Sequence, residues 1–305
     1  MAESLLDNVK ALPFEVRQYM LITGNYWAFT ITDGALRMLV VMYFHQLGYS
    51  PLQIAMLFLF YEAFGVVTNL VGGWLGARLG LNRTMNVGLG LQIVALAMLM
   101  VPAGMLTVVW VMAAQALSGI AKDLNKMSAK SAVKRVVPDN NQGLLFRWVA
   151  LLTGSKNALK GVGFLLGGVL LQILGFQVAL WLLAAFLIFL LLAVTGSLTS
   201  DLGRASQKVT SRDLFSKKRE INFLSASRVF LFASRDIWFV VGVPVFLASQ
   251  FQWGFDKVGG FMAVWVIGYG AVQAVAPKLL THVFDAGSGA RAAKLWGTLL
   301  CIIPL

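Results

Sequence analysis

Lys122 and Lys126 lie four residues apart, and so do Lys156 and Lys160, each pair inside a stretch otherwise apolar enough to cross a membrane. Side chains four apart share a helix face, so each pair forms a basic stripe. Arg37, Arg228 and Arg235 place guanidinium groups in further apolar stretches. Charge at the centre of a bilayer is costly, and residues that carry it face a polar cavity, where they meet an ion, a substrate or one another. The number and sign of these groups suit a pathway for a strongly anionic solute.

The fifth apolar stretch holds the strongest signal, in TGSKNALKGVGF (153–164). Lys156 sits about ten residues from the cytoplasmic end, too deep for its ammonium to reach the headgroups comfortably. Lys160 follows one turn on, and Asn157 offers an amide donor beside them. No acid occurs between Arg147 and Asp201 to pair with either lysine locally. A lysine without a partner in hydrocarbon sheds its proton. A partner from another helix or a bound anion is therefore implied. Gly154, Gly161, Gly163, Gly167 and Gly168 read as small residues that let helices pack closely.

Asp33 and Arg37 are four apart in NYWAFTITDGALRMLVVMYF (25–44) and share a face near mid-span. Two readings fit: mutual neutralisation that holds helices together, or an arginine fork left able to grip a second oxyanion. Lys122, Lys126 and Lys130 form one stripe in ALSGIAKDLNKMSAKSAVKR (116–135). Lys126 and Lys130 are expected to snorkel to the cytoplasmic headgroups. Lys122 is deeper and reads as cavity-lining, with Asp123 turned about 100° away. Arg228, Arg235 and Asp236 lie in SASRVFLFASRDIWFVVGVPVF (225–246), where Pro244 predicts a kink. If this helix faces the first across a central cavity, Arg37 and Arg235 clamp one ligand from both sides. Glu62 is the remaining deep acid, suited to balancing a lysine or to carrying a coupling proton. Tyr61 and Trp238 are weaker candidates for the cavity wall.

Helices must position these groups. The chain is 58% hydrophobic and only 12% charged, with a mean hydropathy of +0.77. Soluble domains carry about a quarter charged residues, so this composition belongs to an integral membrane protein. Apolar runs of roughly 20 residues match transmembrane helices, and the alternation of a lipid-facing β-barrel is missing. The fold class is thus all-α and integral to the membrane. Spans are predicted at 21–45, 52–77, 85–103, 106–127, 146–172, 176–198, 222–249 and 257–280. A ninth run opens near Ala292 and stops at Leu305, too short to cross, giving about eight complete spans plus a truncated ninth. The segment Leu5 to Tyr19 is expected to lie as a short amphipathic helix on the membrane surface.

Alternate connections are basic: Arg78 and Arg83; Lys130, Lys134 and Arg135; then Arg204 to Arg219. The positive-inside rule puts these in the cytoplasm, and the N-terminus with them. Residues 1–198 read as a six-helix transmembrane half, 199–220 as a basic cytoplasmic linker, and 221–305 as the incomplete opening of a second half.

Composition also excludes much. Cys301 is the single cysteine, which rules out an internal disulfide or a CxxC metal site. His45 and His282 are too few and too far apart for a metal centre or a Ser-His-Asp triad, so neither enzyme chemistry nor a cofactor is implied. No Walker motif points to ATP use. The net charge of +12 follows membrane topology, not nucleic-acid binding.

Six spans, a basic linker and further spans is the layout of the major facilitator superfamily. The string GWLGARLGLNRT (73–84) resembles that superfamily's cytoplasmic loop signature at Gly73, Arg78, Gly80 and Arg83, with Ala77 where an acid is expected and Leu81 and Asn82 at two basic positions. A tight turn with arginines on the cytoplasmic side explains the string nearly as well. More specifically, NYWAFTITDGALRMLVV, FGVVTNLVGGWLGARLGLNRT, ALSGIAKDLNKMSAKS and TGSKNALKGVGF closely resemble the ArsJ-type organoarsenical efflux permeases. The resemblance runs over essentially all 305 residues. It implies export of 1-arseno-3-phosphoglycerate from the bacterial cytoplasm across the inner membrane. It also implies a functional partner, a glyceraldehyde-3-phosphate dehydrogenase that makes the labile arsenate ester. Such permeases have twelve spans, more than this chain provides. A carrier of another organic anion or phosphate ester needs the same charges, and a non-transporting membrane receptor or scaffold on the same fold is the alternative of a different class.

Overall fold

The computed structural model describes residues 14–136, 142–197 and 237–279, with a few isolated positions besides. All regular structure among the described residues is helical. α1 spans Phe14–Gln46, α2 Pro51–Leu57, α3 Leu59–Leu79, α4 Leu81–Leu99, α5 Val108–Val136, α6 Gln142–Ser197, α7 Val243–Phe251 and α8 Phe255–Leu279. α1 is a single helix from Phe14, so the expected surface helix does not end at Tyr19; that stretch continues straight into the span, and residues 5–13 lie outside the described part.

The breaks follow local chemistry. Ser50 caps α2 through a reciprocal pair, its hydroxyl accepting from the Gln53 N–H while Gln53 accepts from the Ser50 N–H, and Pro51 opens the first turn. α2 and α3 together make the second predicted span, with a break at Phe58 that sequence periodicity does not reveal. α3 and α4 meet at Gly80 alone, where φ is 89°, a conformation that favours glycine. The loop signature GWLGARLGLNRT is therefore a one-residue turn, with Arg78 and Arg83 exposed on either side of it. α6 contains the fifth and sixth predicted spans, separated at Gly175 (φ 73°). Before α7 the helix widens into a π-turn over Ile237–Gly242. Pro244 in the first turn of α7 cannot donate backward, and this accounts for the irregular turn ahead of it.

α6 packs mainly on α1 and α8, and α5 on α3 and α4. The glycines of α6 make these contacts possible. A Cβ at Gly163 or Gly167 would run into the α1 backbone at Ile31 or Ala35, and one at Gly161, Gly168 or Gly154 into the α8 backbone at Ala263, Phe255 or Gly270. On the other seam, a Cβ at Gly119 of α5 would collide with the Tyr61 backbone of α3. All five glycines singled out from the sequence thus serve close helix approach.

A core of Phe29, Leu36, Leu39, Phe44, Tyr61, Leu96, Phe164, Leu183 and Met262 fills the centre. Large apolar side chains face outward instead, among them Leu52, Ile173, Phe189, Leu192 and Val264. Such an inversion, with polar groups inside and apolar groups outside, is what lipid as solvent demands. By length and composition, three stretches are apolar enough to cross a membrane: Pro51–Asn69, Arg147–Thr195 (long enough for two passes) and Phe255–Val275. α1, α4 and α5 fall short of that measure because their buried faces carry Asn25, Asp33, Arg37, Gln92, Gln115, Asp123 and Asn125.

Candidate functional site

Arg37 of α1, Glu62 of α3 and Lys122 of α5 converge from three helices. The Arg37 guanidinium donates to Glu62 Oε1 at 2.6 Å, and Lys122 Nζ lies 3.6 Å from Glu62 Oε2. One carboxylate thereby bridges two cations. Arg37 is almost fully buried, whereas the side chain of Glu62 keeps 33% of its surface exposed. Beyond the Asp33 on its own helix, the Arg37 guanidinium reaches across to Glu62 on α3. Glu62, expected either to balance a lysine or to carry a proton, balances both Lys122 and Arg37.

Tyr61 is the hub of the cluster. Its hydroxyl donates to Asp33 Oδ1 at 2.7 Å, and its ring lies 4.0 Å from both Arg37 Cζ and Lys122 Nζ. A tyrosine ring attracts cations through its quadrupole, and more strongly when desolvated; Tyr61 has no exposed surface. Sequence reasoning ranked it weakly because nothing in its neighbourhood distinguishes it from a belt aromatic. Trp238, ranked with it, is 74% exposed and does not line this cluster.

Lower on α5, Lys126 donates to Asp123 Oδ1 at 2.7 Å and to Asn69 Oδ1 at 3.1 Å, and Lys122 approaches Asp123 Oδ2 at 3.8 Å. The expected snorkelling of Lys126 is thus not observed. A carboxylate one turn back on the same helix offers a nearer anion than the headgroups do. Asp123 is turned about 100° from Lys122 at Cα, but the flexible lysine stem covers the difference. Asp123 was read from the sequence only as turned away from Lys122, and Asn69 was not singled out; the i, i+3 spacing of Asp123 and Lys126 was the signal available.

On α6, Lys160 places Nζ 5.6 Å from the Phe164 ring centre, and its charge is felt at Glu62. Lys156 is half-buried and makes no hydrogen bond or ion pair with another described residue. It lies within the field of Lys160, Lys126, Lys122 and Lys130. Five basic side chains (Arg37, Lys122, Lys126, Lys156 and Lys160) outnumber three acidic ones (Asp33, Glu62 and Asp123) in this part of the bundle.

Asn157 is placed differently. Its amide donates to Gln273 of α8, and Gln273 in turn donates to the Tyr269 hydroxyl at 2.9 Å. Its side chain ties α6 to α8, away from Glu62. Arg228, Arg235 and Asp236 lie outside the described residues, and so does the clamp that would pair Arg37 with Arg235. No group of three or more His, Cys, Asp or Glu arranged for a metal ion occurs among the described residues.

A model of the Major Facilitator Superfamily matches residues 22–305. The chain belongs to this superfamily. No curated protein sequence matches it. Among solved structures, it is similar to one described in work on substrate recognition in proton-dependent oligopeptide transporters, with 17% identity, a TM-score of 0.53, and coverage of 89% of this chain and 56% of that one. It is also similar to a bacterial homologue of the human drug peptide transporters PepT1 and PepT2 (16% identity, TM-score 0.51, 88% of this chain and 57% of that one) and to tetrameric PepTSo2 (15%, 0.52, 94% and 57%). These likenesses concern the fold. The chain spans just over half the length of the solved transporters it matches. The expected all-helical, multi-pass membrane architecture is thereby established.

Proposed function

We propose that this chain forms part of a secondary transporter that exports an anionic organoarsenical, 1-arseno-3-phosphoglycerate, by alternating access and so confers resistance to arsenate. The observation that carries the reading is Lys156: a deep amine, one turn from Lys160, that has no carboxylate partner among the described residues and keeps its proton only beside an anion. Such a group needs an anion, and a substrate bearing phosphate and arsenate supplies one. The chemistry favours a polyanion over a neutral or cationic solute, because the excess positive charge of the cluster repels the latter. The resemblance of the segments around Asp33–Arg37, Lys122 and Lys156 to organoarsenical permeases selects this polyanion from the wider class.

On this proposal, residues 1–198 form the six-helix first half, 199–220 a cytoplasmic linker, and 221–305 the opening of the second half. The N-terminus is cytoplasmic, and the membrane is the bacterial inner membrane. A glyceraldehyde-3-phosphate dehydrogenase acts upstream to make the ester. The chain itself carries no catalytic role.

The test is arsenate resistance in arsenic-sensitive bacteria that express the full-length protein with or without the dehydrogenase. Resistance that requires both proteins supports the assignment. Resistance that is independent of the dehydrogenase assigns a different arsenical, and no resistance moves the substrate to another organic anion or phosphate ester.

A further inference from the structure

Resting on that reading of the site, we infer that Glu62 is a built-in stand-in for the substrate's oxyanion, which the substrate must displace, and that this competition restricts the site to polyanions. The geometry carries the inference. An incoming phosphate or arsenate group would bind Arg37 and Lys122 by presenting two oxygens to two donors. Glu62 already does this, with Oε1 2.6 Å from Arg37 and Oε2 3.6 Å from Lys122. Its side chain is the solvent-facing member of the trio, 33% exposed against 2% for Arg37 and 21% for Lys122. The two cations are anchored from behind by the Tyr61 ring at 4.0 Å each. The acid is therefore the most exposed of the three and the one an incoming anion would meet first.

Two consequences follow. A monoanion offers the cations nothing that Glu62 does not already give them, and it must still overcome like-charge repulsion from the carboxylate. A dianionic phosphate or arsenate group brings more charge than the carboxylate it displaces. Selectivity against abundant monocarboxylates thus comes from a competing group inside the protein, a repulsive element that acts alongside the attractive ones.

The experiment is calorimetric titration of the purified full-length protein in detergent with 3-phosphoglycerate and with the monoanion glycerate. Wild type, Glu62→Gln, Glu62→Asp and Lys156→Ala are compared. Wild type is expected to bind 3-phosphoglycerate and not glycerate, with binding weakened in Lys156→Ala. Glu62→Gln is expected to bind 3-phosphoglycerate about tenfold more tightly or better and to gain binding of glycerate. Glu62→Asp, one methylene short of the bridge, shifts affinity in the same direction by less, and it decides the question if the amide variant fails to fold. Unchanged or weaker 3-phosphoglycerate binding in the Glu62 variants, with wild-type binding still dependent on Lys156, overturns the stand-in role and leaves the anion site intact. Absence of binding to wild type and to every variant overturns both.

Discussion

The Tyr61 hydroxyl donates to Asp33 at 2.7 Å across the α1–α3 seam, and both side chains are buried. A carboxylate in that setting depends on its donor, because removing one leaves a desolvated acceptor unsatisfied. Tyr61→Phe keeps the ring that Arg37 and Lys122 face but deletes the hydroxyl. It is expected to destabilise the protein by about 1–3 kcal/mol, seen as a lower melting temperature in detergent. Tyr61→Leu, which also removes the cation–π contacts, is expected to cost more. Equal melting temperatures for wild type and Tyr61→Phe would show that the bond contributes nothing.

Asp123 is the acid that holds Lys126 in the bundle, and only 1% of its side-chain surface is exposed. Asp123→Asn retains the shape and removes the charge. Lys126 then loses its only carboxylate partner among the described residues, and stability is expected to fall by about 1–3 kcal/mol. The double change Asp123→Asn with Lys126→Met is expected to recover part of that loss, since a pair removed together costs less than one partner stranded. Simple additivity in thermal melts would contradict the pairing.

Two glycines separate packing from intrinsic helix propensity. A Cβ at Gly163 would meet the Ile31 carbonyl and Gly34, whereas one at Gly90 meets nothing within 4 Å. Gly163→Ala is expected to cost about 1–3 kcal/mol through overpacking, and Gly90→Ala to gain roughly 0.5–1 kcal/mol. Thermal stability of the two variants side by side checks both signs at once.

Asn157 and Gln273 form a hydrogen bond that joins α6 to α8. Interhelical bonds of this kind within membranes contribute about 0.6 kcal/mol on average. Asn157→Ala and Gln273→Ala should therefore each lower stability slightly, and the double variant should be no less stable than the worse single one. A loss of transport in Asn157→Ala beyond what its stability explains would restore it to the substrate site.

Much of this was legible in the sequence, and the remainder for reasons that can be named. The helices announce themselves through runs of Leu, Val, Phe and Ala, and the two lysine pairs stand out because charge inside such runs is rare. The spacing of the glycines on α6 foretold its close contacts. The break at Phe58 was hidden because the residues on both sides are apolar and helix-forming, so nothing local marks it. The partners of the charges were hidden for a different reason. Arg37 and Glu62 are brought together by tertiary packing of helices, which side-chain spacing along one helix cannot reveal. The role of Tyr61 was illegible because its importance lies in what surrounds it on three helices.

The central claim is that the excess positive charge around Lys156 binds an exported anion. Cellular arsenic content tests it most directly, in bacteria that express the dehydrogenase with full-length wild-type protein or with Lys156→Ala at matched membrane levels. Arsenic should fall in cells with wild-type protein and return to the level of cells lacking the transporter when Lys156 is replaced. Equal arsenic depletion by wild type and Lys156→Ala would contradict the claim.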